Sequence, residues 1–178
     1  LRELLLTPPT ERGQAAAPSP LCAAFEALAG GDAELWETAA IMSAPGCPAQ
    51  IVHADASWTP YPLLLTAFVA LQPVSRDMGP TRFLPGTHTT AAPAAVVATG
   101  DATGLGAKSP PHSCVGLLDT GDAALYDGRM LHCGGANRSD KRRILFYLTF
   151  RSRKGRENGL DEDAMTLGRM LDELREEF

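Results

Sequence analysis

The chain has 178 residues and a net charge of −5, and 44% of its residues are hydrophobic while 21% are charged. This length and composition predict one folded domain over residues 1–178 with a sizeable core, and they exclude a disordered or fibrous chain. Basic residues are dense only at 141–143 and 151–156, so we expect no nucleic-acid partner. No apolar run reaches the roughly 20 residues of a membrane span.

The four cysteines show no CxxC spacing, which favours a reduced intracellular setting, with the cytoplasm as the expected compartment. The chain starts at Leu1 rather than at Met, and its beginning shows no signal-peptide order. We therefore expect that an upstream segment is missing. The sequence leaves the oligomeric state open.

The first half of the chain predicts a loop, a short helix and three strands. Four prolines up to residue 20 indicate the loop, and Gly30-Gly31 should end the helix. A long apolar run before Gln72 suits a strand that is buried on both faces. The expected bounds are a loop at 8–20, a helix at 22–29 and strands at 35–43, 50–55 and 63–72.

Glycine and proline interrupt the second half, which predicts shorter strands. Residues 76–88 are rich in both, and residues 89–111 are expected to form a surface excursion. Asp119-Thr120-Gly121-Asp122 is a hairpin signal between two apolar pieces. The expected elements are an extended piece at 82–84, strands at 115–118 and 123–126, a short strand that reaches His132 and a long strand at 144–150.

The tail has a helical pattern. Apolar residues recur at helical spacing from Leu160 to Phe178, and acidic residues 161–163 stand in the first turn, where the helix dipole favours them. This predicts a helix at 159–178 that packs on the outside of the sheets. Six to eight short strands with a terminal helix predict a mainly β fold, a double-stranded β-helix (jelly roll) of the cupin kind, with its core at about residues 35–151.

The pair His53-x-Asp55 is a candidate metal site. Residues i and i+2 of a strand point to the same face, so an imidazole and a carboxylate can converge. His132 is the candidate third ligand, since the small residues Cys133-Gly134-Gly135 would let the backbone approach a crowded centre. Two histidines and one carboxylate leave coordination positions open, which is the design of non-haem iron(II) oxygenases.

An isolated HxD triplet arises easily by chance, so its surroundings decide the interpretation. The ten residues from Gly79 to His88 end in Pro-Gly-Thr-His, and His132 is followed by Asn137 and Arg143. With the approach from Pro45-Gly46 to His53-Ala54-Asp55, these features resemble the phytanoyl-CoA dioxygenase family. The resemblance covers about residues 35–151.

This resemblance implies a function and the residues that carry it. It implies iron(II) ligation by His53, Asp55 and His132, and a grip on the distal carboxylate of the co-substrate 2-oxoglutarate by Arg143. Gln50 matches a co-substrate position, and Thr81 is a weaker match of the same kind. The implied reaction consumes dioxygen and hydroxylates a small organic or acyl substrate, releasing succinate and carbon dioxide.

Several alternatives stay open. Arg142 competes with Arg143, because adjacent strand residues face opposite sides and only spacing favours Arg143. A cupin-like metal enzyme without 2-oxoglutarate and a non-catalytic jelly-roll binding module are the rival functions. The intact Asp55 argues against related halogenases, in which a small residue replaces the carboxylate. The region before His53 is shorter than is usual in the family.

The substrate is not specified by the sequence: an acyl-CoA, a small natural product and an amino acid all remain open. We expect residues 56–62 and 89–113 to shape the pocket. Trp58 and Tyr61 either line its mouth or anchor a loop. His88 is expected to be structural rather than a ligand.

Overall fold

A computed structural model describes residues 6–7, 17–89 and 113–152, together with residues 167 and 170–172, which are helical. The predicted helix at 159–178 and the excursion at 89–111 lie mostly outside these residues. The elements with complete bounds are β1 (Leu6–Thr7), β2 (Ala17–Pro18), α1 (Pro20–Ala29), β3 (Glu34–Ser43), β4 (Leu64–Ala70), a 3-10 turn (Arg76–Met78), β5 (Thr81–Phe83), β6 (Cys114–Val115), β7 (Ala123–Asp127), β8 (His132–Gly134) and β9 (Arg143–Arg151).

Two antiparallel sheets form the body of the domain. The larger has the strand order β3-β9-β4-β7 and the smaller the order β6-β5-β8, while β1 and β2 pair as a separate ribbon. Neighbours in the larger sheet are distant in sequence, since β9 lies between β3 and β4. This is the double-stranded β-helix that the sequence predicts, and the mainly β fold class is confirmed.

The larger sheet is covered on one face by helices. Ser19 caps α1 by accepting a hydrogen bond from the Cys22 backbone N–H, and Pro20 occupies the first turn, where a missing N–H costs nothing. Phe25 of α1 packs on Phe150 of β9 with ring centroids 4.7 Å apart, and both side chains are fully buried. Leu167 and Leu171 join the same core cluster, so the C-terminal helical residues pack on the outside of this sheet as predicted.

The opposite face of the larger sheet looks into the domain. Because successive strand residues alternate sides, β4 sends Leu65 and Ala67 to the helices and Phe68 to the inner cluster. Its burial on both faces confirms the prediction for the apolar run at 63–72. The predictions for 22–29, 35–43 and 144–150 are likewise confirmed with small changes of boundary.

The predicted strand at 50–55 is wrong. These residues run beside β8 but form only an isolated bridge, in which His53 and His132 exchange two backbone hydrogen bonds of 2.9 and 2.8 Å. The Gln50 N–H also donates to the Gly134 carbonyl. The bridge would make Ile51 the regular partner of Gly134, so the bond from Gln50 shows that the register slips by one residue, and no continuous ladder forms.

The predicted hairpin at 115–126 is also wrong, although its turn exists. Gly121 has a φ of 91° and the Asp122 N–H donates to the Asp119 carbonyl, as a tight turn requires. The flanking strands then enter different sheets, since β6 pairs with β5 and β7 pairs with β4. The turn is therefore a corner between the two sheets.

The predicted strand towards His132 begins at that residue, because a turn at residues 127–130 precedes it.

Candidate metal and co-substrate site

Three potential metal ligands converge between the two sheets. Nε2 of His53 lies 3.7 Å and Nε2 of His132 lies 3.6 Å from Oδ1 of Asp55. All three ligand atoms fall within 4.8 Å of one another. The backbone bridge between His53 and His132 fixes the spacing of the two imidazoles, and their ring centroids are 4.5 Å apart.

Hydrogen bonds orient both imidazoles towards the same point. Nδ1 of His53 is 2.9 Å from the Ile51 carbonyl, and Nδ1 of His132 is 2.9 Å from the Met130 carbonyl. A carbonyl only accepts, so each Nδ1 carries the hydrogen and each Nε2 keeps its lone pair. This is the tautomer that a metal ion needs from a histidine ligand.

The third group, Asp55, is held by Tyr126. The Tyr126 hydroxyl donates to Oδ2 of Asp55 at 2.8 Å, while Oδ1 faces the two histidines. Tyr126 is buried, its ring lies 4.8 Å from that of His132, and Phe68 and Phe83 pack 5.2 Å from it. Burial and the neighbouring carboxylate raise the pKa of Tyr126 far above its usual value, so the phenol remains a donor.

The site is buried on one side and open on the other. The His132 side chain is 3% exposed, whereas those of His53 and Asp55 are 35% and 32% exposed. Burial lowers the pKa of His132, which favours the neutral imidazole that can bind a metal. A ligand therefore has access from the side of His53 and Asp55.

A buried cation stands beside the triad. Arg143 is 4% exposed, its Nη1 donates to the Gly79 carbonyl, and its Nε is buried without a hydrogen-bond partner in the part of the chain that the structure describes. No described acidic side chain pairs with it. Burial lowers the pKa of this guanidinium. An unpaired buried charge is costly, so this arrangement calls for an anionic ligand.

One cavity joins the triad to Arg143. Gln50 and Thr81, the two weaker predictions, also line it, and apolar side chains complete its wall. The Gln50 Oε1 accepts a hydrogen bond from the Gly134 N–H at 2.8 Å, which leaves its amide group able to donate. Arg142, the alternative to Arg143, is exposed and does not line the cavity.

Two glycines make room for these groups. A Cβ on Gly134 would lie 2.8 Å from the Gln50 Oε1 and 3.4 Å from Nη2 of Arg143. Gly79 has a φ of 69°, and a Cβ there would lie 2.3 Å from the Gly135 carbonyl oxygen. The expectation that small residues allow close backbone approach near His132 is confirmed.

A larger cavity of ≈ 290 Å³ adjoins the site and shares three of its lining residues, Ile41, Asp55 and Phe68. It lies over the inner face of the larger sheet, and each of that sheet's four strands contributes to its wall. The remaining lining residues are Trp36, Glu37, Leu64, Thr66, Tyr126, Tyr147 and Thr149.

The other predicted residues have different positions. Trp58 and Tyr61 are 42% and 55% exposed, and neither lines the two cavities at the site, which favours the interpretation as loop residues. His88 does not line the triad's cavity either. Asn137 anchors the turn before β9 through hydrogen bonds to the Ser43 and Lys141 carbonyls.

Sequence reasoning missed Tyr126 and Arg129. Arg129 is buried, bonds Asp127 through Nε and Nη2, and holds the Thr59 carbonyl with Nη1, which ties down the loop after Asp55. Tyr126 lies two residues after Ala124 in β7, on the same inner face, but a partner 71 residues away in sequence cannot be read from one chain.

The donor set fits iron(II) and 2-oxoglutarate. Two neutral imidazoles and one carboxylate are the facial triad that iron(II) oxygenases use. The guanidinium of Arg143, whose Nε has no partner among the described residues, presents a planar fork of N–H donors to a carboxylate in the same cavity. A jelly roll with such a triad and a buried arginine defines the class of non-haem iron(II), 2-oxoglutarate-dependent oxygenases.

Comparison with known proteins gives the family. The profile described as Phytanoyl-CoA dioxygenase (PhyH) matches residues 2–145, and the chain belongs to this family. A curated relative, Dioxygenase trt7 of Aspergillus terreus (strain NIH 2624 / FGSC A1156), is 32% identical over 121 residues, which are 62% of this chain and 38% of the relative. The chain thus matches well under half of that relative's length.

Solved structures share the fold. The non-haem monooxygenase ThoJ in its nickel complex superposes with a TM-score of 0.61 at 21% identity, over 82% of this chain and 55% of that one. The epimerase SnoN, in complex with Fe³⁺, α-ketoglutarate and nogalamycin RO, superposes with a TM-score of 0.57 at 25% identity, over 74% of this chain and 54% of that one. EctD from S. alaskensis, with 2-oxoglutarate and 5-hydroxyectoine, superposes with a TM-score of 0.60 at 16% identity, over 80% of this chain and 53% of that one.

The described helices include none long and apolar enough to cross a bilayer.

Proposed function

We propose that this chain carries the active site of an iron(II)- and 2-oxoglutarate-dependent dioxygenase that hydroxylates a small organic substrate. The observation that carries the proposal is a single cavity lined by a 2-His-1-carboxylate triad and by a buried arginine that lacks an acidic partner among the described residues. Family membership supports the same reaction class.

In this proposal His53, Asp55 and His132 hold the iron, and Arg143 holds the distal carboxylate of 2-oxoglutarate. Gln50 and Thr81 lie on the cavity wall between these groups and are assigned to the co-substrate. The bound metal and co-substrate supply the oxidative chemistry, with succinate and carbon dioxide as products. The chain's own task is to position both ligands and to exclude water from the buried side, where His132 and Arg143 are 3% and 4% exposed.

The substrate enters from the larger cavity in this proposal. That cavity meets the triad at Asp55, on the side where the triad is exposed. Its volume of ≈ 290 Å³ is at the lower end of small-molecule sites, so a compact substrate is expected. SnoN and EctD, which share the fold, are described with small-molecule ligands.

The test is an anaerobic titration of the protein with iron(II) and 2-oxoglutarate, which follows the visible charge-transfer band of the chelate. Wild type is expected to show the band and His132→Ala to lose it. Arg143→Ala should form it only at much higher 2-oxoglutarate, by about a hundredfold, because a charge-assisted pair of hydrogen bonds is lost.

Arg142→Ala is the matched control, since it removes the same charge one residue away on the exposed side. Its titration should follow wild type. If iron binds but no band forms in folded wild type, the cupin-like metal enzyme without 2-oxoglutarate becomes the better assignment. If iron itself does not bind, the site is vestigial and the chain is a jelly-roll binding module.

A further inference from the structure

The wall of the larger cavity carries specific hydrogen-bonding chemistry. Strand alternation on β9 turns Tyr147 and Thr149 inward, while Thr66 faces inward from β4. Trp36 and Glu37 stand at the β3 end of the same wall. This wall is distinct from the Gln50–Arg143 side of the site, where the co-substrate is assigned.

A β-bulge places both Trp36 and Glu37 on this wall. Leu35 pairs with Phe150 and Glu37 pairs with Thr149, so Trp36 is an extra residue in β3. A regular strand would turn neighbouring side chains to opposite faces, whereas a bulge re-aims one of them. As a result an aromatic ring and a carboxylate stand side by side over the cavity.

Internal hydrogen bonds consume most of the donors of the wall. The Tyr126 hydroxyl donates to Asp55, and the Tyr147 hydroxyl donates to Oε1 of Glu37 at 2.7 Å. The hydroxyls of Thr66 and Thr149 bond each other at 2.9 Å, which uses one of their two hydrogens. Tyr147 stays protonated, since the bond to Glu37 raises its pKa to about 12.

The hydrogen-bonding groups of the wall that remain available to a ligand are mostly acceptors. Oε2 of Glu37 and the remaining lone pairs of the phenol oxygens can accept. Thr66 also hydrogen-bonds the Tyr126 oxygen, so the Trp36 N–H is the main side-chain donor left among the described lining residues. The lining residues of this cavity include no Lys or Arg among those that the structure describes. Arg151 stacks on the Trp36 ring with its guanidinium carbon 4.4 Å from the ring centroid, but it is paired with Glu34. A carboxylate or phosphate placed here would therefore face Glu37 without an unpaired cation among the described lining residues to balance it.

We propose that this wall selects a substrate that presents hydrogen-bond donors, an amine or a hydroxyl on a compact apolar body, with Glu37 as the specificity-determining residue. The proposal rests on the proposed function, because it takes the cavity beside Asp55 as the substrate site. The aromatic ring of Tyr147 suits a protonated amine in particular, since a ring face attracts a cation. Anionic substrates are disfavoured.

The test compares three probes that share one apolar body: phenethylamine, phenethyl alcohol and phenylacetate. Their dissociation constants are measured by calorimetry on the protein loaded anaerobically with iron(II) and 2-oxoglutarate. We expect wild type to bind the amine about tenfold more tightly than the acid, from one partly exposed ion pair and a cation–π contact. The alcohol should lie between them.

Glu37→Gln is the decisive variant, because the amide oxygen can still accept from Tyr147 while its NH2 group turns an acceptor into a donor. The amine should bind about tenfold more weakly in this variant, and the acid should bind as well or better. Tyr147→Phe keeps the carboxylate and should keep the preference for the amine. Asp140→Asn, an exposed charge change outside the cavity, should leave all three constants unchanged.

The proposal is overturned if Glu37→Gln weakens both probes equally, or if it leaves the ratio of their dissociation constants unchanged. Direct binding of phenylacetate to the metal would change its affinity equally in wild type and in Glu37→Gln, since Glu37 is not a metal ligand, so it would not alter the difference between the two proteins. The chelate band is recorded before any probe is added. Its absence would count against the proposed function, whereas a band with no effect of Glu37→Gln would count against the substrate class alone.

Discussion

The hydroxyl of Tyr126 donates a hydrogen bond to Oδ2 of Asp55 across 2.8 Å, which leaves Oδ1 to face His53 and His132. The phenol lies in a strand of the larger sheet, and the carboxylate lies in the segment beside the smaller sheet. One bond therefore spans the two sheets and sets the orientation of the carboxylate. Loss of an outer-sphere partner of this kind typically weakens metal binding by about ten- to a hundredfold.

Replacement of Tyr126 by Phe removes this bond and keeps the ring. We expect the affinity for iron(II) to fall about tenfold, because Asp55 can then rotate away from the position that faces both histidines. Calorimetric titration with iron(II) under anaerobic conditions measures the change. Tyr147→Phe is the matched control, since Tyr147 bonds Glu37 and not Asp55, and it should leave the affinity unchanged. Equal affinities in wild type and Tyr126→Phe would show that the bond does not position Asp55.

We expect Arg143, which is assigned to the co-substrate, to lower the stability of the folded protein. Its guanidinium is buried, and no acidic partner for it exists among the described residues. Arg143→Met should therefore raise the free energy of unfolding by about 1 kcal/mol, since an unpaired charge gives way to an apolar chain of similar length. The same variant should lose the stabilisation that 2-oxoglutarate gives to the iron-loaded wild type.

Urea denaturation with and without ligands measures both effects. Arg142→Met, at the exposed residue just before the same strand, should change the free energy of unfolding by less than about 0.5 kcal/mol. A large destabilisation by Arg143→Met would mean that Arg143 mainly supports the fold through its bond to the Gly79 carbonyl.

Gly79→Ala tests the close approach beneath the site. The φ of 69° disfavours alanine by about 1–2 kcal/mol, and the new Cβ would lie 2.3 Å from the Gly135 carbonyl oxygen, which adds a steric cost. Gly46→Ala is the matched control, because its φ is 80° but nothing lies within 4 Å of its Cβ position. Chemical denaturation should show a clearly larger loss for Gly79→Ala. Similar losses would mean that the backbone near Gly135 moves aside easily.

Tyr147 should make stability depend on pH in the alkaline range. Its pKa is raised to about 12 by the hydrogen bond to Glu37, from the usual 10.0 of a tyrosine, so the folded state holds this proton more tightly than the unfolded state. Its contribution is therefore complete below pH 10 and is lost as the pH rises towards 12. Tyr147→Phe should flatten the fall in stability over this window, as followed by denaturation at a series of pH values. An unchanged slope would show that the bond does not persist in solution.

The sequence predicts the long elements of this fold well. The strands at 35–43, 63–72 and 144–150 contain enough apolar residues to be predicted from the sequence. Burial on both faces of β4 explains its unbroken apolar run. The three triad residues and Arg143 also stand out, because their spacing matches a family pattern that extends over most of the chain. The structure brings all four to one cavity.

The errors have physical causes. Residues 50–55 look like a strand, yet their register against β8 slips by one residue after the bridge at His53 and His132. The corner at 119–122 carries the residues of a hairpin turn, and only the arrangement of the sheets shows that its flanking strands part. Tyr126, Glu37 and Tyr147 escaped notice because their roles depend on partners in distant strands and on a bulge that leaves no sequence signature.

The backbone bridge between His53 and His132 has a further consequence for metal exchange. Two hydrogen bonds hold the segments of both histidines together without any metal, so little conformational entropy is lost when an ion binds. The polypeptide need not fold around the ion, in contrast to zinc fingers, whose metal and fold form together. An ion can therefore leave and return while the protein remains folded, and a chelator should empty the site reversibly.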